Sequence, residues 1–425
     1  TQLGKFYLDF DLIETGDVLM ASFLYGVNLF DSVTVTRLAG HFLTLLQRIV
    51  ADPEQRIGLL PLLTSAEQQQ LLRDWNNTAV PYNQEETILD RFAAQVANQP
   101  QATAVATLQQ QQTKNLTYAQ LNSRANQLAH TLKSLGVRPN AAVAVCLERS
   151  PDMIVALLGI LKTGAAYVPI DPVYPQQRID FILRDTAAKV ILTQASLQNR
   201  LGPWQIKTLC LDVDWQTIGQ ADEVDPKPRI TPDYTAYIMY TSGSTGQPKG
   251  VLISHRSLYH YVTVGMAHVE LQPEDTVLQF ASISFDVAVE EIFSTLAYGA
   301  RLLLRDDAMI GTTARFWQTC AANGVTILDL PTAYWHLLCM HLSEDAYLIP
   351  ASLRLLFIGG EKASIEHIQS WRKAAPPEVK LVNGYGPTEA TILETFCVVA
   401  GQNSLSDVSR SIIGCPIPNT SVYIV

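Results

Sequence analysis

Short apolar runs alternate with helix-forming segments along most of this 425-residue chain. Helices are indicated over 117–135 and 151–163. The apolar runs read AVAVCL, AYVPI, KVILT, TVLQFA, VTILDL, LRLLFIGG and KLVNGYG. Buried strands separated by helices are typical of parallel sheets with crossover connections. The pattern therefore predicts an α/β fold, and 48% apolar against 16% charged residues favours a globular chain with a large core.

The first part of the chain is organised differently. Residues 34–51 place five apolar side chains on one helical face, namely Val35, Leu38, Phe42, Leu45 and Ile49. Such an amphipathic helix needs a partner surface. Pro, Asn and Gln accumulate after it, and Thr64 or Ser65 could cap a short helix over 66–74. This stretch is typical of a linker that contains one helix.

Charge and composition exclude several function classes. A net charge of −10 argues against a nucleic-acid surface, which needs clustered Lys and Arg. The apolar stretch at 153–161 is about half of a bilayer span, and the N-terminus lacks a signal pattern, so we expect a soluble protein without membrane contact. Six scattered cysteines, one of them the apolar Cys146, lack CxxC spacing. Free thiols, a cytoplasmic location and no cysteine metal site are therefore expected.

One loop carries a phosphate-binding composition. YTSGSTGQPKG, Tyr240 to Gly250, follows a predicted strand and combines glycines, hydroxyl residues and Lys249. Converging backbone N–H groups and a lysine suit a phosphate. Pro248 precedes Lys249, so the loop is not a Walker A motif, and its glycines do not fit a dinucleotide fingerprint. A flexible surface loop is the open alternative.

Five ordered motifs resemble those of nonribosomal peptide synthetase adenylation domains, members of the adenylate-forming superfamily. They are LTYAQLN, LKTGAAYVPID, YTSGSTGQPKG, FDVAVEEIF and NGYGPTEAT. Residues 1–60 resemble the end of a condensation domain, without its HHxxxDG motif, and 61–84 resemble the usual connector. The resemblance implies that 85–425 form the adenylation core. Its expected partners are an amino-acid substrate and the carrier and condensation domains of the same synthetase.

The resemblance also implies a fold and a reaction. The fold is the large N-terminal subdomain of the adenylate-forming proteins, with parallel sheets and crossover helices. The chain ends at NTSVYIV, before the family's later motifs, so the C-terminal lid subdomain and its lysine are expected to be absent and activity to be low. ATP activates an amino-acid carboxylate with Mg²⁺ present, for transfer to phosphopantetheine on a separate carrier domain.

The nucleotide site follows from the same resemblance. Tyr385 stacks on adenine, Asn383 bonds its exocyclic amine, Thr388 reaches the α-phosphate and Glu389 holds Mg²⁺. The residues expected around ATP or AMP are Thr241, Ser242, Gly243, Ser244, Thr245, Gly246, Lys249, Gly360, Glu361, Asn383, Tyr385, Gly386 and Thr388. Lys249, Thr388 and Glu389 are the expected catalytic residues. A simple Gly-Pro turn capped by Thr388 is the alternative for NGYGPTE.

The substrate pocket is placed by the family's spacing. Asp286 matches the carboxylate that holds the α-ammonium of an amino acid. The other expected pocket residues are Phe285, Val287, Glu290, Asp329, Phe357, Gly359, Gly384, Ile392 and Leu393.

Two acidic side chains in one pocket suggest the substrate class. Glu290 and Asp329 would repel each other unless a proton or a cation lies between them, which favours a basic substrate, Arg before Orn or Lys. Phe357 could also pack a phenol ring, so Tyr is the second choice, and the glycines would leave room for a long side chain. A solvated helix turn is the alternative for Glu290, and a structural role is the alternative for Asp329.

Two other functions are compatible with parts of the sequence. An acyl-CoA ligase or luciferase-like enzyme shares the phosphate loop, but it explains neither Asp286 nor the condensation-like N-terminus. A non-catalytic scaffold would leave the five ligand motifs unexplained.

Overall fold

The computed structural model describes residues 7–108, 115–227, 230–242, 246–342, 348–402, 404–405 and 411–423. It divides into two compact units, Thr1–Thr78 with Ser421–Val425, and Ala79–Thr420. The polar tract at 108–113 lies, except for Leu108, outside the described residues.

The first unit contains one hairpin, two α-helices and a short 3-10 helix, Ile57–Leu59, among its described residues. Strands β1 (Leu8–Thr15) and β2 (Val18–Tyr25) pair antiparallel. Helix α1 (Ser32–Ala51) confirms the predicted amphipathic helix. Helix α2 (Ser65–Gln69) continues into a π-helical turn, Gln70–Asp74.

Thr64 caps α2. Its hydroxyl accepts the Glu67 N–H at 3.2 Å, while the Glu67 carboxylate accepts the Thr64 N–H at 2.8 Å. This reciprocal capping box satisfies two N–H groups that a helix start leaves unpaired, so Thr64 rather than Ser65 is the cap.

The strands of the second unit are β3 (Thr103–Thr107), β4 (Leu116–Thr117), β5 (Ala142–Val145), β6 (Ala166–Pro169), β7 (Val190–Thr193), β8 (Lys207–Cys210), β9 (Thr235–Thr241), β10 (Lys249–Ser254), β11 (Thr276–Gln279), β12 (Arg301–Leu304), β13 (Ile327–Pro331), β14 (Leu355–Gly359), β15 (Lys380–Tyr385), β16 (Thr395–Ala400) and β17 (Cys415–Pro416). Its helices are α3 (Ile88–Asn98), α4 (Tyr118–Ser134), α5 (Pro151–Leu161), α6 (Gln176–Thr186), α7 (Leu211–Ile218), α8 (His255–Thr263), α9 (Val287–Val289), α10 (Thr295–Tyr298), α11 (Thr313–Ala322), α12 (Thr332–Met340) and α13 (Ile365–Ala374).

These strands form two mixed sheets within the described residues. The six-stranded sheet has the order β10-β9-β6-β5-β7-β8, and the nine-stranded sheet has the order β17-β16-β15-β14-β13-β11-β12-β3-β4. The central strands are parallel, as predicted, whereas β4, β10, β16 and β17 pair antiparallel at the edges. Every predicted apolar run forms a strand.

The first motif, LTYAQLN, has a structural role. Thr117 and Gln120 form a capping box at the start of α4. The buried Tyr118 hydroxyl donates to the carbonyl oxygen of Ala300 at 2.7 Å. The motif therefore joins β4, α4 and the start of β12.

No helix in the described part of the chain is both long enough and apolar enough to cross a bilayer. All six cysteines are free thiols, as expected, and five of them are buried. Burial first, and then the charge of Asp171, raises the pKa of the Cys146 thiol to about 12, so it behaves as a small apolar side chain.

Candidate active site

The predicted phosphate loop is the turn of an antiparallel hairpin. Thr241 ends β9 and Lys249 begins β10, and the two residues pair in register across the base of the loop. Gly246 has φ +82° with nothing within 4 Å of an added Cβ, so it adopts a left-handed conformation in open space. Ser242 and Lys249 are exposed. Gly243, Ser244 and Thr245 lie outside the described residues.

The other motifs predicted to bind the nucleotide lie at the ends of two adjacent strands. Gly360, with φ +81°, and the exposed Glu361 come directly after β14. Asn383 and Tyr385 belong to the end of the neighbouring β15. Because the two strands are parallel, both segments leave the sheet at the same edge. Tyr385 is 51% exposed, so its side chain is accessible to a ligand.

The amide of Asn383 is held by the backbone. This residue is buried, and its Nδ2 donates to the carbonyl oxygen of Ile412 at 2.8 Å. The bond orients the amide, because the nitrogen is directed at an acceptor and the oxygen takes the other side.

A hydrogen bond joins two of the motifs that the sequence predicts to bind ligands. Thr388 and Glu389 lie in a 3-10 turn after β15, and Asp286 is the N-cap residue of α9. The Thr388 hydroxyl donates to the Asp286 carboxylate. Burial is the main cause that raises the pKa of Asp286, and the charge of Glu389 adds to it, while the Thr388 hydrogen bond opposes the shift. The residues that the sequence predicts for the α-phosphate and the α-ammonium therefore lie in contact.

The predicted acidic pair is buried and hydrogen-bonded. Glu290 is 6% exposed and Asp329 is 8% exposed, and their carboxyl groups are in hydrogen-bonding contact. The Tyr261 hydroxyl, on α8, donates a short hydrogen bond to Glu290 Oε2. Two buried carboxyl groups in hydrogen-bonding contact share a proton, because two adjacent negative charges in a buried site cost too much free energy. The solvated helix turn considered for Glu290 is therefore wrong.

Burial shifts the titration of both acids. It raises the pKa of Glu290 to about 7 with help from the charge of Asp286, although the hydrogen bonds of Tyr261 and Asp329 lower it. Burial and the neighbouring Glu290 raise the pKa of Asp329 well above its usual range. The proton of the pair consequently resides on Asp329, which donates to Glu290.

The two-residue repeat of a strand and the four-residue spacing of a helix explain why the acidic side chains lie together. Asp329 in β13 pairs with Phe357 in β14, and Gly359 follows two residues later on the same face of the sheet. Asp286 and Glu290 are four residues apart along a helix and share one side. Glu290 lies in a π-helical turn, Glu290–Ser294, between α9 and α10. Such turns within helices are frequent at functional sites.

The adjacent Glu291 has a different role. Its carboxylate accepts the backbone N–H groups of Phe280 and Ala281 at 2.9 and 3.1 Å, and the Gln279 amide at 2.8 Å. Arg149 donates to the carbonyl oxygens of Phe280 and Ala281 at 2.9 Å each. This network fixes the segment between β11 and the helix that carries Asp286 and Glu290.

The space expected beside the pocket glycines is partly filled. A Cβ on Gly384 would lie 2.4 Å from Leu393 Cδ1, and one on Gly359 would lie 3.2 Å from the Gly384 carbonyl oxygen. The missing side chain of Gly384 therefore accommodates Leu393, and the expectation that this glycine leaves room for a long substrate is wrong. Phe285 also differs from expectation, because its side chain is 62% exposed.

Thr391 and Ile392 have an unusual backbone. Their φ angles are +67° and +74°, although both are β-branched and both are buried. Such conformations cost about 1–3 kcal/mol each and persist only where packing enforces them. Here the turn places Leu393 against Gly384. The predicted pocket residues Ile392 and Leu393 thus lie in a strained segment.

The donor set suits magnesium held jointly with a substrate. Among the described residues no group of three His, Cys, Asp or Glu side chains is arranged to hold a metal alone. Glu389 is exposed, and its negative charge contributes to the raised pKa of Asp286. Mg²⁺ is commonly held by one or two carboxylates together with substrate phosphates and water, so a single exposed carboxylate fits it.

Sequence reasoning missed Tyr261, Glu291 and Arg149. The helical pattern of HRSLYHYV predicts a buried face that includes Tyr261, but not that its hydroxyl meets Glu290. Arg149 lies in a loop after β5 and Gln279 ends β11, and these strands belong to different sheets. No local sequence signal links them.

Comparison with protein-family models matches residues 92–425 to the AMP-binding enzymes and residues 1–72 to the condensation domain. A linear gramicidin synthase of Brevibacillus parabrevis is 39% identical over 99% of this chain. Tyrocidine synthase 2 of the same organism is 36% identical over 100%, and chondramide synthase of Chondromyces crocatus is 39% identical over 94%. The chain spans 5%, 11% and 10% of these three relatives.

Solved structures share the fold. The nonribosomal peptide synthetase FmoA3 covers all of this chain with a TM-score of 0.86 at 28% identity, and this chain corresponds to 44% of that protein. An AMPPNP-bound form of FmoA3 gives the same TM-score of 0.86, with this chain spanning 45% of it. The N-terminal subdomain of NpsA from Klebsiella oxytoca, in complex with 3-hydroxybenzoyl-AMSN, matches 79% of each chain with a TM-score of 0.66. At 23% identity this last likeness shows the fold alone. The expected N-terminal adenylation subdomain fold is confirmed.

Proposed function

Because the chain belongs to the AMP-binding enzymes, as a nonribosomal peptide synthetase adenylation domain preceded by the end of a condensation domain, we propose that it activates an α-amino acid with ATP. The amino-acid carboxylate attacks the α-phosphorus, a P–O bond to pyrophosphate breaks, and aminoacyl-AMP and pyrophosphate form. The site must therefore hold two anions in close contact.

The observation that carries this proposal is the hydrogen bond from Thr388 to Asp286. Asp286 supplies a partly buried carboxylate for the α-ammonium, and Thr388 supplies a hydroxyl for the α-phosphate. When both ligands bind, the ammonium replaces the hydroxyl at the carboxylate, and the hydroxyl turns to the phosphate. A carboxylate at this position favours an amino acid over a hydroxy or keto acid, because an unpaired buried charge is costly.

The remaining residues bind and orient the nucleotide. Lys249 and the hydroxyl groups of the hairpin loop donate to the β and γ phosphates. Tyr385 stacks on the adenine, while the Asn383 oxygen accepts from its exocyclic amine. Glu389 would hold Mg²⁺, which when bound supplies charge neutralisation on the phosphates. Gly386 keeps the turn that carries Thr388 close to the strand.

The substrate is proposed to carry a basic side chain, with Arg favoured and Tyr second. Glu290 and Asp329 supply acidic oxygens in a buried pocket, and Phe357 beside Asp329 supplies an aromatic edge. The domain proposal remains 1–60 for the condensation remnant, 61–84 for the linker and 85–425 for the adenylation core. Partnership with a carrier domain bearing phosphopantetheine belongs to the same proposal.

Binding of stable adenylate analogues tests the proposed function. Arginyl sulfamoyladenosine and its counterpart without the α-amino group differ only in the group assigned to Asp286. We expect the des-amino compound to bind at least tenfold more weakly, since a charge-assisted hydrogen bond contributes about 1.5–3 kcal/mol. Equal affinity would favour an acyl-CoA ligase-like enzyme, an alternative that peptide synthetase relatives over nearly the whole chain do not favour.

A further inference from the structure

Glu290, Asp329 and Tyr261 form a buried acidic cluster in which two carboxyl groups can each bind a proton. Glu290 and Asp329 are hydrogen-bonded to each other and nearly inaccessible, and the Tyr261 hydroxyl donates to Glu290 Oε2. Burial and the charge of Glu290 raise the pKa of Tyr261 well above its usual value, so this hydroxyl remains a donor. The cluster therefore changes its charge by gaining or losing protons on its two carboxyl groups.

The titratable groups that act on the pair are a tyrosine and two further acidic residues. Tyr261 faces it from α8, Asp286 faces it from α9, and the charge of Glu291 reaches Asp329 from the π-helical turn. None of the ion pairs found among the described residues involves Glu290 or Asp329. Protons are consequently the only positive charges that the described protein groups bring to this pair.

We propose that the cluster keeps one proton on Asp329 and exchanges a second, carried by Glu290, for the cationic group of a basic substrate side chain, so that pH selects between cationic and neutral side chains. The inference rests on the proposed function, since it assumes that an amino-acid side chain enters this pocket. In the exchange, the Glu290 O–H bond breaks, the proton passes to solvent, and the ammonium or guanidinium pairs with the carboxylate. Charge is balanced before and after binding.

The proposal has a defined pH signature. Below neutrality the pair is doubly protonated and uncharged, so a cation must displace a proton to bind. Because the pKa of Glu290 lies at about 7, the affinity for a cationic side chain rises with pH up to that point and is then constant. A neutral side chain meets no such requirement. Protonation of Asp286 weakens binding of the α-ammonium of every amino acid equally. Its effect therefore cancels in the ratio of the affinities for a cationic and a neutral substrate.

Calorimetric titration with arginyl and tyrosyl sulfamoyladenosine tests this exchange on the native protein. The arginyl compound should bind about tenfold more weakly at pH 6 than at pH 8, relative to the tyrosyl compound. Titrations at pH 6 in buffers of different ionisation enthalpy should show that the arginyl compound releases about one proton more than the tyrosyl compound. A constant affinity ratio between pH 6 and 8, or equal proton release by the two compounds at pH 6, overturns the proposal.

Tyr261 is a positioning residue in this scheme, and Tyr261→Phe tests it. Its hydrogen bond lowers the pKa of Glu290, so its loss should move the midpoint of the arginyl profile upward by roughly one to two pH units. Tyr259→Phe is a matched control, because Tyr259 donates to Glu86 from the same helix at 2.5 Å. The control should leave the midpoint unchanged, whereas equal shifts in both variants would contradict the assignment.

Glu290→Gln keeps the side-chain volume and removes the exchangeable proton. We expect the arginyl-to-tyrosyl ratio to lose its pH dependence and to fall at least tenfold at pH 8. If the native protein bound only the tyrosyl compound at every pH, the exchange would be overturned while amino-acid activation would remain intact. Failure of both compounds to bind the native protein would overturn the proposed function as well.

Discussion

The Thr388 hydroxyl donates a hydrogen bond to the Asp286 carboxylate, across two motifs separated by about a hundred residues. Thr388 lies in the 3-10 turn that follows β15 of the nine-stranded sheet, and Asp286 is the N-cap residue of α9. In the absence of ligands the Asp286 carboxylate accepts from Thr388, so both partly buried groups have a hydrogen-bond partner. Under the proposed function, ligand binding replaces this bond, and the replacement would couple the amino-acid and nucleotide sites.

Asp286→Asn should weaken an aminoacyl sulfamoyladenosine by ten- to a hundredfold, while AMP should bind nearly as before. The change removes the charge that pairs with the α-ammonium, an interaction of about 1.5–3 kcal/mol. Isothermal titration with both ligands measures the difference. Asp233→Asn is a suitable control, since Asp233 pairs with Arg256 and its side chain is 77% exposed. Equal losses for both ligands would refute the assigned role.

Lys249→Ala should weaken ATP more than it weakens an amino acid, because the ammonium lies at the base of the phosphate loop. Lys249 pairs in register with Thr241 and is exposed, so the fold does not depend on its charge. Fluorescence titration with ATP and with arginine measures both affinities. The exposed Lys133 in α4 provides a control substitution to Ala. A selective loss of arginine binding would be the contrary outcome.

Tyr385→Ala should weaken AMP by roughly ten- to a hundredfold, since stacking of a base on an aromatic ring contributes about 1–3 kcal/mol. Tyr385→Phe retains the ring and should bind AMP almost as the native protein does. The two variants separate stacking from hydrogen bonding by the hydroxyl. If the Phe variant lost as much as the Ala variant, stacking would not be the role of this residue.

Gly386→Ala should displace the turn that carries Thr388 and lower the affinity for AMP. An added Cβ would lie 2.6 Å from the Ile392 carbonyl oxygen and 2.7 Å from Leu393 Cα, which are backbone atoms that cannot move independently. Gly40→Ala in α1 is the control, because nothing lies within 4 Å of its added Cβ. The control should be neutral or stabilising by about 0.5–1 kcal/mol. Native AMP affinity in Gly386→Ala would contradict the close approach.

Glu290→Gln should stabilise the unliganded protein at pH 8 relative to the native chain. The pKa of Glu290 is raised to about 7 in the folded state, so the folded state binds the proton more tightly. The stability that Glu290 contributes is therefore lost as pH rises from about 4.5 to 7, a change of at most about 3–4 kcal/mol. Chemical denaturation at pH 5 and pH 8 compares the two proteins. A difference independent of pH would show that Glu290 does not titrate in this window.

Local sequence pattern determined the class of fold and much of the secondary structure. Apolar runs between helices predicted the strands, because burial of both faces of a parallel sheet requires continuous apolar segments. Composition of YTSGSTGQPKG indicated a phosphate loop, since glycine and hydroxyl residues form no core. Thr64 was predicted as a possible cap because capping depends on neighbours within one turn.

Only the tertiary structure decided what the acidic residues do. Glu290 and Glu291 are adjacent in sequence, yet one binds Tyr261 and Asp329 while the other binds the backbone of Phe280 and Ala281. The space that Gly384 was expected to leave open is taken by Leu393, nine residues later in the chain. These outcomes depend on contacts between segments that are distant in sequence. Packing sets the distances between such segments, the burial of their side chains and the protons they share, and no local sequence pattern predicts them.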